Sequence, residues 1–368
     1  MSRFVYYLLL SNMVANILAA VPRILLSKSS EGAVLSIILA LIYGVIGIWV
    51  FIRLISKFPG KNLPELFKTY LSKWVGVPLL LLFGIVWYIA GLQSLITYVA
   101  ILSRFLTPEM SIYMILGAFV AVITFGLFMQ SRNVLFLLEV IFVLLLPIIV
   151  LFLGKIYFTE QIDWDQVKIA AMHINHAPSY TAFAAASYVF VGIFDLIIFN
   201  SVIKKKIVFK WKQAIIIFMF GSITLATTYF IPIGVLGFDS IKDFVYPWVS
   251  TSDSVRMQYG IVERVIFLFL LNFLAIAFLN IMLHWFVAFK LFQSTFSVDQ
   301  LAPGTRKYFS NTLIIIVFWT VGVLVTIQET EYNLFQYSNY YFNALPAVSA
   351  VLFIALLIVN RRAKFEKS

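Results

Sequence analysis

The chain has 368 residues, of which 62% are hydrophobic and only 12% charged, and its mean hydropathy is +0.99. Soluble domains carry roughly 25% charged residues, and a water-soluble core of this size could not hide so much apolar surface. Cysteine is absent, which excludes disulfides, thiolate metal sites and cysteine nucleophiles; the net charge of +11 falls in short gaps between apolar runs, as a membrane topology signal and not as a nucleic-acid surface.

A hydrocarbon core about 30 Å thick takes roughly 20 apolar residues per helix. That length predicts an all-α polytopic membrane protein, one integral domain over 1–368 with the lipid bilayer as its solvent. Spans are predicted near 4–26, 33–55, 77–102, 111–129 and 134–156, then near 181–203, 213–237, 264–290, 310–327 and 341–360. The first carries Ser11, Asn12, Ala15 and Asn16 ahead of Ala19-Ala20 and Pro22. Pro22 removes a backbone donor and disfavours helix at Val21, so this span is read as either discontinuous, which would mark a binding site, or simply kinked. Its small-residue pair imitates a secretory cleavage site, but it runs straight into Pro22-Arg23 and nothing soluble follows.

After the second span, the segment 57–76 places Leu63, Leu66, Phe67, Tyr70, Leu71 and Trp74 at helical spacing opposite Lys61, Lys68 and Lys73. We expect an amphipathic helix over about 62–74, lying in the cytoplasmic interface. With the N-terminus inside, the inner segments collect 19 of the 27 basic residues, among them Arg53, Lys57, Lys204, Lys205, Lys206 and Arg361. This bias predicts that both termini are cytoplasmic.

Ionisable groups within a bilayer are costly and tend to mark pathways or sites. Glu139 stands about a turn and a half into the fifth span, either on a proton or ion pathway or simply reaching headgroups and Arg132. Asp195 is deeper, in GIFDLIIFN, between Gly192 and Asn200. His173 and His176 form an H-x-x-H pair in the preceding loop, with no cysteine or nearby acid to complete a metal set. The loop 238–263, with Asp239, Asp243 and Asp253 around Tyr246-Pro247-Trp248, is too polar to span. The eighth span carries Asn272, Asn280 and His284, the last two four residues apart and so on one helix face. They suit either a polar ligand or interhelical hydrogen bonds. No nucleotide-binding loop, nucleophile elbow or zinc-protease motif occurs, so no enzyme, metal or cofactor is expected.

The chain resembles the B subunit of nutrient-responsive spore germination receptors, of the amino acid–polyamine–organocation transporter superfamily. The resemblance runs nearly end to end. It is carried by Pro22-Arg23, Phe58-Pro59 with the following KNLPELFKTYLSKWVG, Thr107-Pro108, Arg132, Phe190-Val191-Gly192, Lys204-Lys205-Lys206, and Gly237 leading to Tyr246-Pro247 and Ile261-Val262-Glu263-Arg264, with Pro346 in the last span. It implies a LeuT-like five-plus-five inverted repeat, the first over about 4–156 and the second over about 181–360. Spans one and six would be broken near the midplane, with a small solute between spans one, three, six and eight. The implied lining is Ala15, Asn16 and Ala19; Val86 and Ala90; Val191, Gly192 and Phe194; Asn280 and His284. Departures are visible: alanine and asparagine replace the family's glycines before Pro22, Phe194 stands where an acid usually follows the glycine, with Asp195 about 100° further round the helix, Phe273 replaces a common tryptophan, and Ser94 stands where an acid is expected.

Two functions follow. The first is a germinant-receptor B subunit that binds a small nutrient such as an amino acid and signals to A-type and C-type partner subunits in the spore inner membrane or cell membrane. The second is an amino acid transporter coupled to protons or sodium, with Asp195, Glu139 or His284 as the titrating groups. A structural scaffold, the third reading, predicts no saturable small-molecule binding.

Overall fold

The computed structural model describes residues 3–18, 20–255 and 265–365, and among them there is no strand. The helices are α1 (Arg3–Leu18), α2 (Ala20–Ser27), α3 (Ala33–Ile55), α4 (Leu63–Tyr70), α5 (Lys73–Ile101, continued by a π-helical turn over Leu102–Leu106), α6 (Ile112–Leu127), α7 (Ser131–Tyr157) and α8 (Trp164–Met172). They are followed by α9 (Tyr180–Tyr188), α10 (Leu196–Phe199), α11 (Trp211–Leu236), α12 (Pro247–Ser254), α13 (Val265–Thr295), α14 (Thr305–Gln328) and α15 (Glu331–Phe365). Among the described residues, seven helices are long and apolar enough to cross a membrane, and two bent pairs pass the same test together. The chain is a polytopic integral membrane protein. The segment expected at 111–129 is the short one, since α6 has 16 residues and is about 24 Å long.

The two bends have local causes. Between α1 and α2 the axis turns by 57°, and Pro22 sits in the first turn of α2, where a missing N–H has no intrahelical acceptor to lose. The bend therefore precedes the proline and is no kink at it. In the second pair, α9 and the segment Val191–Val202 meet at 51°. Most of that second half is 3₁₀-helix, over Val191–Asp195 and Asn200–Val202, so backbone groups at the bend need partners from elsewhere.

The short amphipathic helix differs from its expected extent. Asn62 caps α4 reciprocally with Glu65, accepting from the Glu65 N–H at 2.9 Å, and Leu63, Leu66 and Phe67 bury the apolar face. The chain turns extended at Leu71, Lys73 already opens α5, and Trp74 is 92% exposed. Periodicity alone carried the prediction to 74 because the apolar spacing of α4 runs on, by chance, into the start of the next helix.

Helix α13 is the buried axis of the bundle, and its most extensive contact is with α5. Small residues let the two approach: a Cβ on Gly91 would come within 2.2 Å of the Trp285 ring, and one on Gly126 of α6 within 2.3 Å of the Met282 sulfur. Trp285 also donates to the Tyr88 carbonyl at 3.1 Å, which fixes the ring in the notch. By contrast, Val140, Val143, Leu144, Val150 and Leu151 of α7 are exposed, an apolar outer wall of the kind that faces a membrane or a partner. The segment around Tyr246-Pro247-Trp248 is too polar to span but is not loose: Pro247 opens α12, and Trp248 is fully buried, stacked on Phe269 at 6.0 Å.

Candidate ligand-binding site

The site grows from the bend in the second pair. Where α9 ends, the carbonyls of Tyr188 and Val189 lack the next-turn N–H groups that a continuing helix would supply. The side chain of Asn12, on α1, donates to both, at 2.6 Å and 3.3 Å. Asn16 steadies it, its own amide donating to the Asn12 carbonyl at 2.7 Å and to Asn12 Oδ1 at 3.1 Å. One turn beyond the bend, α1 lies directly against Gly192: a Cβ there would meet the Leu8 carbonyl oxygen at 2.4 Å and Asn12 Cβ at 2.6 Å. The two bent segments are thus clasped backbone to side chain.

Beside this clasp is a cavity lined by Val86, Trp87 and Ala90 of α5, Val191 and Phe194 beyond the bend, His284 of α13, and Tyr341, Leu345, Val348, Ser349 and Leu352 of α15. A second cavity adjoins it through Val191, Phe194, Leu345 and Ser349 and reaches Tyr43 and Ser187. Both are tight, about 10 and 20 Å3, room for little more than a single water. Tyr341 closes one side, its hydroxyl donating to the Val86 carbonyl at 3.1 Å.

The polar groups here are unevenly satisfied. His284 Nδ1 lies 2.7 Å from the Asn280 carbonyl, which can only accept, so Nδ1 carries a proton and Nε2 is left to bond elsewhere. That Nε2 is buried and has no partner. One turn away, Asn280 Oδ1 accepts from Ser94 Oγ at 3.0 Å, while Nδ2 is buried and unpartnered. Exchanging the amide's two ends leaves one of them unpartnered all the same. Asp195 is turned out of the cavity and accepts from Trp87 Nε1 at 2.6 Å. Phe194 takes the cavity side instead, in line with the offset of about 120° between neighbours in this 3₁₀ segment. Replacing Trp87 with phenylalanine leaves this buried carboxyl without its donor; we expect a loss of about 1–3 kcal/mol, read as a lower melting temperature in detergent.

Of the sequence-predicted lining, the cavity brings together Val86, Ala90, Val191, Phe194 and His284. Ala15 is buried away from it, Asn16 serves Asn12, Gly192 presses on α1, and Asn280 faces Ser94. Ala19 lies outside the described residues, as do Glu263 and Arg264. Glu139 pairs with Arg3 at 3.0 Å instead of the expected Arg132, whose guanidinium lies over Phe136. His173 and His176 each direct Nδ1 at a backbone carbonyl, of Ile169 and Ser30, both at 2.9 Å. Sequence reasoning missed Trp87, Tyr341 and Ser349 as neighbours of the site, and Asn12 as its clasp. The available signals were Pro346, which marks the α15 stretch lining the cavity, and an asparagine one turn before Asn16 in a span that bends.

A model of the spore germination protein family matches residues 2–334. The chain belongs to that family. The match extends over both bent pairs and over every cavity-lining residue except those of α15 beyond residue 334. No curated protein matches the chain. Membership brings the clasp and the cavity into a family of germination-related, permease-like membrane proteins; it leaves the ligand to be argued from the residues.

Proposed function

We propose that this chain is the B-type subunit of a nutrient germinant receptor, binding a small nutrient of the amino acid class in the cavity between α5, α13, α15 and the bent second pair. The observation that carries the reading is His284 of α13, which lines the cavity, with the half-satisfied Asn280 one turn away outside the lining. His284 Nε2 is buried without a partner, and one turn away half of the Asn280 amide is unused. Buried polar groups are ordinarily satisfied, and an amino acid supplies both a donor ammonium and an acceptor carboxylate. The bend's own carbonyls are taken by Asn12, so ligand recognition falls to side chains.

A five-plus-five inverted repeat accompanies this reading. Among the described residues the apolar helices and bent pairs, with the short α6 included, number ten, and each set of five begins with a bent pair. Both termini are then on one side, which the basic residues make the cytoplasmic side. The cavity has little free space as it stands, so the nutrient must bind an opened arrangement more tightly than the closed one, and this difference is the signal. The signal would pass to A-type and C-type subunits in the spore inner membrane or cell membrane.

His284→Leu tests the reading. It should raise the nutrient concentration needed for germination about tenfold, the loss of one buried hydrogen bond to a charged group. Unchanged dose dependence at a normal protein level removes His284 from the site. A second reading, coupled amino acid transport, is favoured by two buried titratable side chains, Asp195 and His284, in the same bundle. Purified protein in proteoliposomes separates the two: a transporter accumulates labelled amino acid against its gradient, whereas a receptor subunit binds it without sustained uptake.

A further inference from the structure

Away from the central cavity, a groove runs along the outer wall of the bundle where α3 ends and the extended segment 203–210 crosses towards α11. Its three stretches have volumes of about 470, 360 and 280 Å3, far larger than the central cavity. The first two share Lys206, Ile207 and Val208, and the second and third share Trp49 and Phe209, so they are continuous. The segment 203–210 is held in place by Ile203 and Ile207, both buried, and by the bond from the Gly60 N–H to the Ile203 carbonyl at 2.9 Å. Its lysines consequently project outward.

Charge in the groove is of one sign. The lining includes Arg53, Lys57, Lys204, Lys205, Lys206 and Lys210 and no acidic residue. None of these six takes part in a salt bridge among the described residues. Lys57 is held below the ordinary lysine range by burial and by the charges of Lys364, Arg53 and Lys206, the mark of cations gathered without a counter-ion. Beyond this basic mouth the groove becomes apolar, passing Val45, Ile46 and Ala214 between two exposed tryptophans, Trp49 and Trp211. Tryptophans of this kind settle at the level of lipid headgroups.

We propose that the groove binds an anionic phospholipid, with the phosphodiester among Arg53, Lys57 and Lys206 and an acyl chain laid along Trp49, Ile46 and Ala214. Basic pockets between spanning helices at a membrane face are suited to such headgroups. The sequence of surfaces, cationic and then apolar, matches the order of an amphiphile's parts. An acidic peptide from a partner protein would satisfy the lysines but would have no reason to continue into the lipid-facing stretch.

The test uses the full-length protein in mild detergent, titrated with phosphatidylglycerol or phosphatidylcholine and read by native mass spectrometry. Wild type should hold phosphatidylglycerol and not phosphatidylcholine. Each cation near the headgroup contributes about a fivefold factor, so R53Q/K57Q/K206Q should weaken retention about 100-fold. Ala214→Trp, which fills the apolar stretch and leaves every charge in place, should weaken it as well. A control of equal charge loss elsewhere, K73Q/R306Q/R361Q, should retain the lipid. Equal loss in the control, retention in the triple variant, or no effect of Ala214→Trp each overturns the proposal. So does displacement by millimolar inorganic phosphate, which would make the groove a site for free phosphate. Melting curves for every variant keep unfolding from being read as lipid loss.

Discussion

Asn12→Leu is expected to destabilise the bundle by about 2–4 kcal/mol, by leaving buried carbonyls without donors at membrane depth. The leucine keeps asparagine's branching at Cγ but is bulkier, so overpacking adds to the cost, and what disappears is the bond to the Tyr188 carbonyl at 2.6 Å and the longer one to Val189. Asn16 loses its contact with Asn12 Oδ1 at the same time. Water cannot substitute, because Asn12 is 1% exposed. Asn12→Asp should be worse still, although it is closer in shape. A carboxylate has no hydrogen to donate, and it would face two carbonyl oxygens as a buried charge. The measurement is thermal unfolding of purified protein in detergent. An Asn12→Asp variant that melts with wild type would show that the clasp contributes nothing.

The second large effect is expected at Gly192, where Gly192→Ala should cost about 3 kcal/mol or more. The added methyl would sit 2.4 Å from the Leu8 carbonyl oxygen and 2.6 Å from Asn12 Cβ. Neither is the end of a flexible side chain, so α1 itself has to move. That displacement also pulls Asn12 from its carbonyls, and the two variants should therefore be strongly non-additive when combined. Gly117→Ala and Gly154→Ala are the comparison. Both lie inside helices, have nothing within 4 Å of a new Cβ, and should be neutral or stabilising by up to about 1 kcal/mol. Melting temperatures of the three single variants check the contrast; a Gly192→Ala protein as stable as Gly117→Ala refutes the close approach.

The two predictions show what periodicity can and cannot reach. Apolar runs located most of the long helices to within about five residues, because burial in lipid is a one-dimensional demand, whereas α15 begins at Glu331, well ahead of the predicted 341, because its first turns are polar. The bend near the first asparagines was legible for a similar reason, since Pro22 and the polar residues before it stand in the chain itself. The direction of each polar side chain was not. Asn16 and Asn12 are both asparagines on one turn of one helix, yet only Asn12 reaches the open end of α9, and that depends on how α1 crosses the second bent pair. Glu139 met Arg3 instead of Arg132 for the same reason: the nearer residue in sequence was not the nearer one in space.

What the sequence determined by itself is the solvent and the inventory. So few charges in so apolar a chain leave only the bilayer as surroundings, and among the described residues the helices fall where the apolar runs fall. The tertiary structure alone decided which of those residues meet. It assigned Asn12 to the clasp, Phe194 to the cavity and Asp195 to Trp87, and it brought α15 to the cavity wall. Helix crossing and rotation follow from where a glycine notch receives a ring, as Gly91 receives Trp285. Such complementarity is a property of two surfaces, which no single stretch of sequence contains.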